Sequence, residues 1–234
     1  MEPFGLALKE FYEGKKQVKV IFHRDDGLKV DHYIFPYFRS EKDFSLIEKQ
    51  AIKLCQGRVL DVGAGVGPHS LILQKKGFLV LAIDISPYAC DIMKKRGVSS
   101  VKCSTVYDLK EITFDTILLM GRSIGFVENL SGFKKFLNFC KVLLNPRGII
   151  LLDSFDVRQT TNQIHLAYQN ENMKSGRYFG EMRLQMEYKK RLGEKFQILH
   201  IDPHTLTKSA EEVGWSCDIL CEQENGAFLA KIFK

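Results

Sequence analysis

Val59-Leu60-Asp61-Val62-Gly63-Ala64-Gly65-Val66-Gly67, followed by Leu79-Val80-Leu81-Ala82-Ile83-Asp84, decides the fold of this chain. The first run reads as a buried parallel strand over 58–62 that ends in a tight glycine turn. Alternate glycines leave bare backbone at the start of the next helix, where exposed N–H groups and the helix dipole favour a closely approaching ligand. The second apolar run puts Asp84 at the carboxyl end of a neighbouring strand. A carboxylate there accepts the paired hydroxyls of a ribose.

A nicotinamide or flavin site would place Gly-x-Gly-x-x-Gly at this turn. Counted from Gly63, the third glycine falls on Pro68; counted from Gly65, it falls on Ser70. Neither frame completes the dinucleotide fingerprint. Pro68 instead suits the first position of a helix that starts after Gly67. The spacing Asp61-x-Gly63-x-Gly65-x-Gly67, with Asp84 downstream, resembles motif I and the following acidic position of class I S-adenosylmethionine-dependent methyltransferases.

With 234 residues the chain is read as a single domain, 1–234, large enough for a full core. Apolar content of 45% and charged content of 26% are those of an ordinary globular protein. No apolar stretch reaches the roughly 18 residues of a membrane span, and Met1–Leu6 lacks the basic start and apolar core of a secretory signal. The expectation is therefore a cytoplasmic enzyme with no membrane partner. The six cysteines form no Cys-x-x-Cys, so reduced structural thiols are expected and no metal. The net charge of +6 permits an anionic substrate without demanding one.

From residue 57 to about 155 the chain alternates strand and helix, the signature of a doubly wound parallel sheet. Strands are expected at 58–62, 78–84, 99–103, 115–120 and 149–153, the last entered through the turn Asn145-Pro146-Arg147-Gly148. Helices are expected at 68–76 and 131–143. Another runs from the N-cap Ser86 and Pro87 to Lys94-Lys95-Arg96, basic residues that offset its dipole, and stops at Gly97. Residues 1–56 lie outside this pattern and read as an N-terminal cap. It comprises a helix over 4–13, a hairpin of 17–22 and 28–33 about Asp25-Asp26-Gly27, and an amphipathic helix over 43–54 capped by Ser40 or Asp43. Residues 156–202 form an insertion whose second half holds a hairpin, 181–189 and 196–201, around Leu192-Gly193-Glu194. Residues 203–234 supply a last helix and two edge strands, about 215–222 and 227–233.

The family resemblance covers roughly 57–155 and 203–234. It implies an α/β fold with a mostly parallel seven-stranded Rossmann-like sheet of order 3-2-1-4-5-7-6, the last strand antiparallel, and S-adenosylmethionine as cofactor. It also implies a cofactor shell of Asp61, Gly63, Ala64, Gly65 and Gly67 beside the amino-acid end, Asp84 on the ribose and Ile85 on the adenine. Thr105 and Val106 follow the third strand, and Met120 and Gly121 the fourth. Thr105 stands where the family often has an acidic residue that reads the adenine amine, and backbone groups or Asp108 are the substitutes. Arg39, in Tyr33-x-x-Pro36-Tyr37-Phe38-Arg39, is a candidate for the methionine carboxylate, since guanidinium binds carboxylate bidentately; the aromatics beside it read equally well as core.

Methyl transfer is an in-line displacement in which positioning and water exclusion supply much of the acceleration. The catalytic candidates are His200, Asp153 and Arg122, with Ser123 and Asp156 at neighbouring strand ends and Glu181, Arg183, Tyr188, Asp202 and His204 from the insertion. Pro203 breaks the metal-like pattern His200-x-Asp202-x-His204. Met120-Gly121-Arg122-Ser123 stands where base amine methyltransferases carry Asn/Asp-Pro-Pro-Tyr/Phe, and the Pro-Cys nucleophile of cytosine-C5 enzymes is absent there. No basic stripe interleaved with aromatics marks an RNA platform. The expected activity is S-adenosylmethionine-dependent methyl transfer (EC 2.1.1.-) to a small molecule, with an anionic one favoured by Arg122. The alternatives are a non-catalytic module that binds the cofactor, or an RNA or protein acceptor.

Overall fold

Continuous apolar strands are stable only where both faces of a sheet are covered, and here they are. The computed structural model describes residues 2–234. Its larger sheet contains β3 (Arg58–Val62), β4 (Leu79–Asp84), β5 (Val101–Cys103), β6 (Phe114–Leu119), β7 (Leu144–Phe155), β10 (Ser216–Glu222) and β11 (Ala227–Phe233), numbered in chain order with β1, β2, β8 and β9 given below. The order β10-β11-β7-β6-β3-β4-β5, with β11 antiparallel to its neighbours and the β3–β7 pairings parallel, is the expected seven-stranded topology.

Alternate residues of each strand go to opposite faces. On one face Leu60, Ile117, Leu119, Ile150, Leu152 and Phe228 pack against α5 (Leu130–Leu143) and α7 (Pro203–Glu211) through Phe133, Phe136, Leu206 and Ala210. On the other, Val59, Leu118, Leu151 and Leu229 pack against α2 (Leu46–Leu54) and α3 (Pro68–Lys75) through Ile47, Ala51, Ile52 and Leu73. Helix α2 is thus a covering layer of the parallel sheet. It starts at Leu46, with Ser45 rather than Ser40 or Asp43 as its N-cap: Ser45 and Glu48 form a capping box, while Ser40 and Asp43 close a separate 3-10 turn at Glu41–Asp43. The helix α4 (Pro87–Lys95) has Ser86 as N-cap, its side chain accepting the Ala89 N–H at 3.3 Å.

The smaller sheet joins two distant segments. β1 (Lys19–Arg24) pairs with β2 (Lys29–Tyr33) and with β8 (Glu181–Tyr188), which pairs with β9 (Arg191–Leu199), so the order is β2-β1-β8-β9. α1 (Glu2–Tyr12) packs Ala7 and Leu8 against Val20 and Tyr188, and also against Ala89 and Ile92 of α4. That contact fastens the small sheet over the carboxyl ends of the parallel strands.

Besides the start of α2, three elements differ from the sequence reading. β7 begins at Leu144, because Leu144 pairs with Phe114 and a register shift then brings Ile149 opposite Thr116; the expected turn at 145–148 is an irregularity inside the strand, with Arg147 at φ 66°. The 181–199 hairpin turns at Lys189 and Lys190, φ 50° and 63°, and not at Gly193, which lies within β9. The first half of the insertion holds a helix, α6 (Gln163–Lys174), whose buried residues Tyr168, Gln169 and Asn172 give no apolar stripe. Among the described residues no helix is long and apolar enough to cross a membrane.

Candidate functional site

The glycine turn lies between β3 and α3 at the carboxyl edge of the sheet. Gly63, Gly65 and Gly67 all have positive φ, 67°, 59° and 77°. Their surroundings differ. A Cβ on Gly67 would come within 2.8 Å of Val98 Cγ2 and 3.1 Å of Met93 Cγ, and one on Gly63 within 2.9 Å of Ser123 Cβ, whereas one on Gly65 would meet nothing within 4 Å. Two of the glycines are therefore demanded by packing, and Gly65 faces open space.

Asp84 secures this turn. Its Oδ2 accepts the Gly65 N–H at 2.9 Å and its Oδ1 accepts the Ser86 N–H at 2.8 Å, and burial pushes its carboxyl above the usual range. Ile85, next to it, is 54% exposed, unusual for an isoleucine flanked by so many buried residues. Asp61 is buried at the end of β3, accepts Ser70 Oγ at 2.6 Å and is likewise pushed up by burial. Thr105 and Asp108 satisfy each other: Asp108 Oδ2 accepts the Thr105 N–H at 2.9 Å and Oγ1 at 2.7 Å, which occupies the oxygen proposed as a substitute. Val106 and Met120 are buried and Gly121 is exposed. Arg96, read as a helix-end charge, reaches the glycine turn, Nη1 donating to Val66 O at 2.6 Å.

Arg39 is engaged elsewhere than expected. Its Nε donates to Glu48 Oε1 at 2.9 Å and its Nη1 to Pro36 O at 2.6 Å, while His69 Nε2 lies 2.8 Å from the same Glu48 oxygen. Burial raises the Glu48 carboxyl, but hydrogen bonds from His69, Ser45 and Arg39 outweigh it and bring the carboxyl to about 2. A carboxylate held below its unfolded value stabilises the fold above that value, and the contribution is lost as pH falls towards about 2. Removing one partner of such a buried pair strands the others. Glu48→Ala is therefore expected to destabilise the protein by roughly 3 kcal/mol in denaturant titration. A Glu48→Gln variant is expected to show a shallower loss of stability than wild type between pH 4.5 and pH 2.

A second group of residues surrounds Arg122. This residue follows β6 with φ 63°, ψ 27°, and its backbone N–H donates to Asp153 Oδ1 at 2.8 Å. Its guanidinium lies 5.1 Å over the Phe155 ring and, among the described residues, takes part in no ion pair. Its positive charge is felt on every side. It helps depress His32, acts against the burial that holds Tyr37 up at about 12, and adds to the burial that brings His200 down to about 4. His200 is therefore neutral near pH 7, and its Nδ1 is enclosed without a hydrogen-bond partner. His32 Nε2 lies 2.8 Å from Tyr37 Oη, and Phe22 packs edge-on to His32 with ring centroids 5.1 Å apart. Asp153 is raised to about 6 by burial, against the lowering effect of the Arg122 N–H and charge.

The other insertion candidates have structural partners except His204, which is exposed in the first turn of α7. Glu181 accepts the Tyr178 N–H at 3.3 Å, Arg183 pairs with Asp25 at 3.1 Å, and Tyr188 donates to Glu10 at 2.6 Å. Asp202 caps α7 and accepts Tyr178 Oη at 2.5 Å; Asp156 pairs with Arg158 at 2.9 Å. No group of three or more His, Cys, Asp or Glu among the described residues is placed to hold a metal ion. Sequence reasoning missed His69, Ser70 and Glu48, although buried polar residues in the first turn after the glycines carried a signal.

The sheet order and the glycine turn beside a strand-end carboxylate define the class I methyltransferase architecture. A sequence profile described as a methyltransferase domain matches residues 60–152. A crystal structure of an S-adenosylmethionine-dependent methyltransferase from Bacteroides fragilis, in complex with S-adenosyl-L-homocysteine, superposes with a TM-score of 0.85 at 32% identity, covering 98% of this chain and 93% of that one. YqeM of Bacillus subtilis, named as a methyltransferase, is 28% identical over 127 residues, 50% of this chain and 51% of that protein. The tRNA (guanine(37)-N(1))-methyltransferase Trm5b of Pyrococcus abyssi is 28% identical over 131 residues, 55% of this chain and 38% of that protein. The matches thus span about half or less of these two curated relatives. This chain belongs to the S-adenosylmethionine-dependent methyltransferase family, and S-adenosylmethionine is its cofactor.

The residues fit that cofactor. Open space stands over Gly65, an exposed apolar side chain follows Asp84, and two buried hydroxyls beside the turn, Ser104 Oγ and Ser123 Oγ, have no hydrogen-bond partner. Ser104 borders Asp84 through its N–H, 3.1 Å from Asp84 O, and Ser123 borders Gly63.

Proposed function

We propose that this protein transfers the methyl group of S-adenosylmethionine to an anionic small molecule bound beside the exposed guanidinium of Arg122. When bound, the cofactor supplies an electrophilic methyl on a positive sulfur. The chain's own residues then have three tasks. Asp84 accepts the ribose hydroxyls while it holds the Gly65 and Ser86 N–H groups, and Ile85 covers the adenine. Gly65 and the glycine turn, with Asp61 behind them, take the amino-acid end. Phe22, His32, Tyr37 and Phe155, all half-buried, stand on the acceptor side.

The observation that carries the acceptor reading is the guanidinium of Arg122, set among neutral histidines, a neutral tyrosine and an aromatic ring with no carboxylate paired to it. A guanidinium so placed favours a carboxylate or phosphate, which it binds in a bidentate fork. An RNA acceptor is the second reading, prompted by the tRNA methyltransferase relative. Against it, several surface cations are already paired with acids, among them Lys15 with Glu10, Lys19 with Asp31 and Lys95 with Asp91.

The test is release of S-adenosylhomocysteine in parallel assays, one with a library of small carboxylates and phosphates and one with bulk tRNA. Turnover on anionic small molecules that Arg122→Met depresses about 100-fold in kcat/KM, with unchanged cofactor affinity, is the expected result. Turnover on tRNA alone would replace this reading with the second one.

A further inference from the structure

Two neutral side chains from different elements meet in one hydrogen bond beside the cofactor turn. His32 stands on β2 opposite Val20 of β1, and Tyr37 sits in the 3-10 turn Phe35–Phe38 that follows β2. Tyr37 Oη lies 2.8 Å from His32 Nε2. Val20, Phe22 and Tyr37 pack in one apolar cluster with Val66, the residue between Gly65 and Gly67, so the pair is held next to the turn that takes the cofactor. Phe4 is edge-on to the Tyr37 ring and Phe22 edge-on to His32, both with ring centroids 5.1 Å apart. Other tyrosines and histidines have different partners. Tyr168, Tyr178 and Tyr188 reach Asp25, Asp202 and Glu10. His23 and His69 lie against Glu187 and Glu48, and His165 against Arg24. A carboxylate, ionising at roughly 4, is too weak a base to draw a phenolic proton, and it biases a facing histidine towards the charged form. His32 faces no acid: Asp31, its neighbour in the chain, is paired with Lys19. A tyrosine set on a neutral imidazole can hand over its proton, because imidazole is a base at physiological pH.

From this pair we infer that Tyr37 is a catalytic residue, which takes the proton of the acceptor atom while it passes its own to His32. The acceptor atom is then one that ionises at about pH 10, the nitrogen of an ammonium or the oxygen of a phenol. The inference rests on the reading that the acceptor binds beside Arg122, whose charge acts on both His32 and Tyr37. The step balances. The bond from the acceptor atom to hydrogen breaks and a new O–H bond forms at Tyr37 Oη. The original O–H bond of Tyr37 breaks in the same event, and an N–H bond forms at His32 Nε2. The lone pair left on the acceptor atom forms its bond to the methyl as the sulfur–methyl bond breaks, and positive sulfur becomes a neutral thioether. His32 then carries the charge. Once the product has left, the proton returns through Tyr37 to water.

Magnitudes decide which acceptors such a relay can serve. Tyrosine and lysine, which stand for a phenol and an alkylammonium, ionise at about 10 and 10.4, and imidazole at about 6.5. The proton therefore moves uphill by roughly 4 units from either, against roughly 9 from a hydroxyl that ionises like water at about 15.7. The first gap is compatible with catalysis, and the second leaves an alkyl hydroxyl without an effective base. Burial, helped by Arg122, lowers His32, which keeps it neutral near pH 7 although it makes the imidazole a somewhat weaker base. Burial holds Tyr37 up at about 12, so it keeps a proton to donate. The charged groups that face the pair are Arg122, on the loop after β6, and Arg39, at the end of the Tyr37 turn. Its other neighbours, Val20 and Phe22 on β1 and Phe4 on α1, are uncharged.

The experiment is a matched panel of small carboxylates and phosphates that also carry an amine, a phenol or an alkyl hydroxyl, assayed for S-adenosylhomocysteine release beside bulk tRNA. Calorimetric binding of S-adenosylhomocysteine is measured on the same preparations. Turnover is expected in the amine or the phenol arm, and these two arms decide between nitrogen and oxygen. Tyr37→Phe keeps the ring against Phe4, and His32→Gln keeps an oxygen that can accept the Tyr37 hydroxyl. Each is expected to lower kcat about 100-fold while cofactor affinity stays within twofold. The double variant should be no slower than the slower single one, since the two side chains act as a unit. In wild type, kcat should rise with pH through a midpoint below the usual histidine value, and His32→Gln should lose that limb. The deficit of both variants should shrink as the pH nears about 10, where the acceptor sheds its proton unaided. Faster turnover of alkyl hydroxyls, full activity in either variant, a deficit that does not change with pH, or silence across the panel and tRNA in protein that binds S-adenosylhomocysteine would overturn the inference. Turnover on tRNA alone would instead remove the acceptor reading beneath it, and failure to bind S-adenosylhomocysteine would remove the cofactor site.

Discussion

Gly65→Ala is expected to yield a folded protein that has lost about 100-fold in affinity for S-adenosylhomocysteine. The new Cβ meets nothing within 4 Å, so no protein atom must move, and the fold bears only the strain of a side chain at φ 59°. That strain is about 1–2 kcal/mol. The methyl does, however, enter the space in which the bound cofactor must touch backbone, and overpacking of that kind costs roughly 1–3 kcal/mol, with tenfold in affinity for each 1.4. Gly67→Ala should behave in the opposite way. Its Cβ would press on Val98 and Met93, in the cluster that joins α4 to the sheet, so the main effect is a stability loss of about 3 kcal/mol. Thermal unfolding and calorimetric titration of the two variants separate a glycine that serves the ligand from one that serves the fold.

Asp84→Ala is expected to reduce S-adenosylhomocysteine affinity by about 100-fold or more, since two charge-assisted hydrogen bonds of roughly 1.5–3 kcal/mol each are lost. The fold should survive. The substitution frees the Gly65 and Ser86 N–H groups, but it also removes a carboxylate that burial has made costly to ionise. Asp84→Asn keeps one acceptor oxygen and should lose about tenfold. The raised Asp84 value also fixes the sign of the pH effect. Protonation removes the acceptors, and it occurs at a higher pH than for an ordinary aspartate, so affinity in wild type weakens on acidification while the protein is still folded. An affinity that is flat from neutral pH to the usual carboxylate range would contradict the assignment of Asp84 to the ribose.

Much of this was legible in the chain because the parallel core is written in local signals. Val59–Val62, Leu79–Ile83 and Phe114–Leu119 are continuous apolar runs because both faces of the sheet are covered, and Ser86 with Pro87 marks a helix start that needs no tertiary information. Signals failed where long-range pairing overrode them. Gly193 looked like a hairpin turn, but the register Glu187↔Leu192 and Tyr188↔Arg191 puts the turn at two lysines with positive φ. Asn145–Gly148 has the composition of a turn, yet the pairing of Leu144 with Phe114 draws it into β7. Helix α6 escaped detection because its buried face is made of Tyr168, Gln169 and Asn172, which are satisfied by Asp25, Val157 and Glu181, all outside the helix.

The site divides along the same line. The residue types at the glycine turn and at Asp84 follow from local chemistry, so their placement at one sheet edge could be anticipated. The Arg39–Glu48–His69 network could not, because its members come from a loop, α2 and α3 and meet only once the helices have packed. Arg122 and Asp153 could be named as strand-end candidates. That one is a cation without an acid and the other an acid without a cation depends on the direction each side chain takes, which no spacing encodes.

The most direct test is a calorimetric titration of the wild-type protein with S-adenosylhomocysteine, with NADH as the control ligand. Saturable binding of S-adenosylhomocysteine at one site per chain, and no heat from NADH, is the expected result. Binding of NADH in preference, or no binding of S-adenosylhomocysteine by protein shown to be folded, would contradict the assignment of the Asp61–Gly67 turn and Asp84 as the cofactor site.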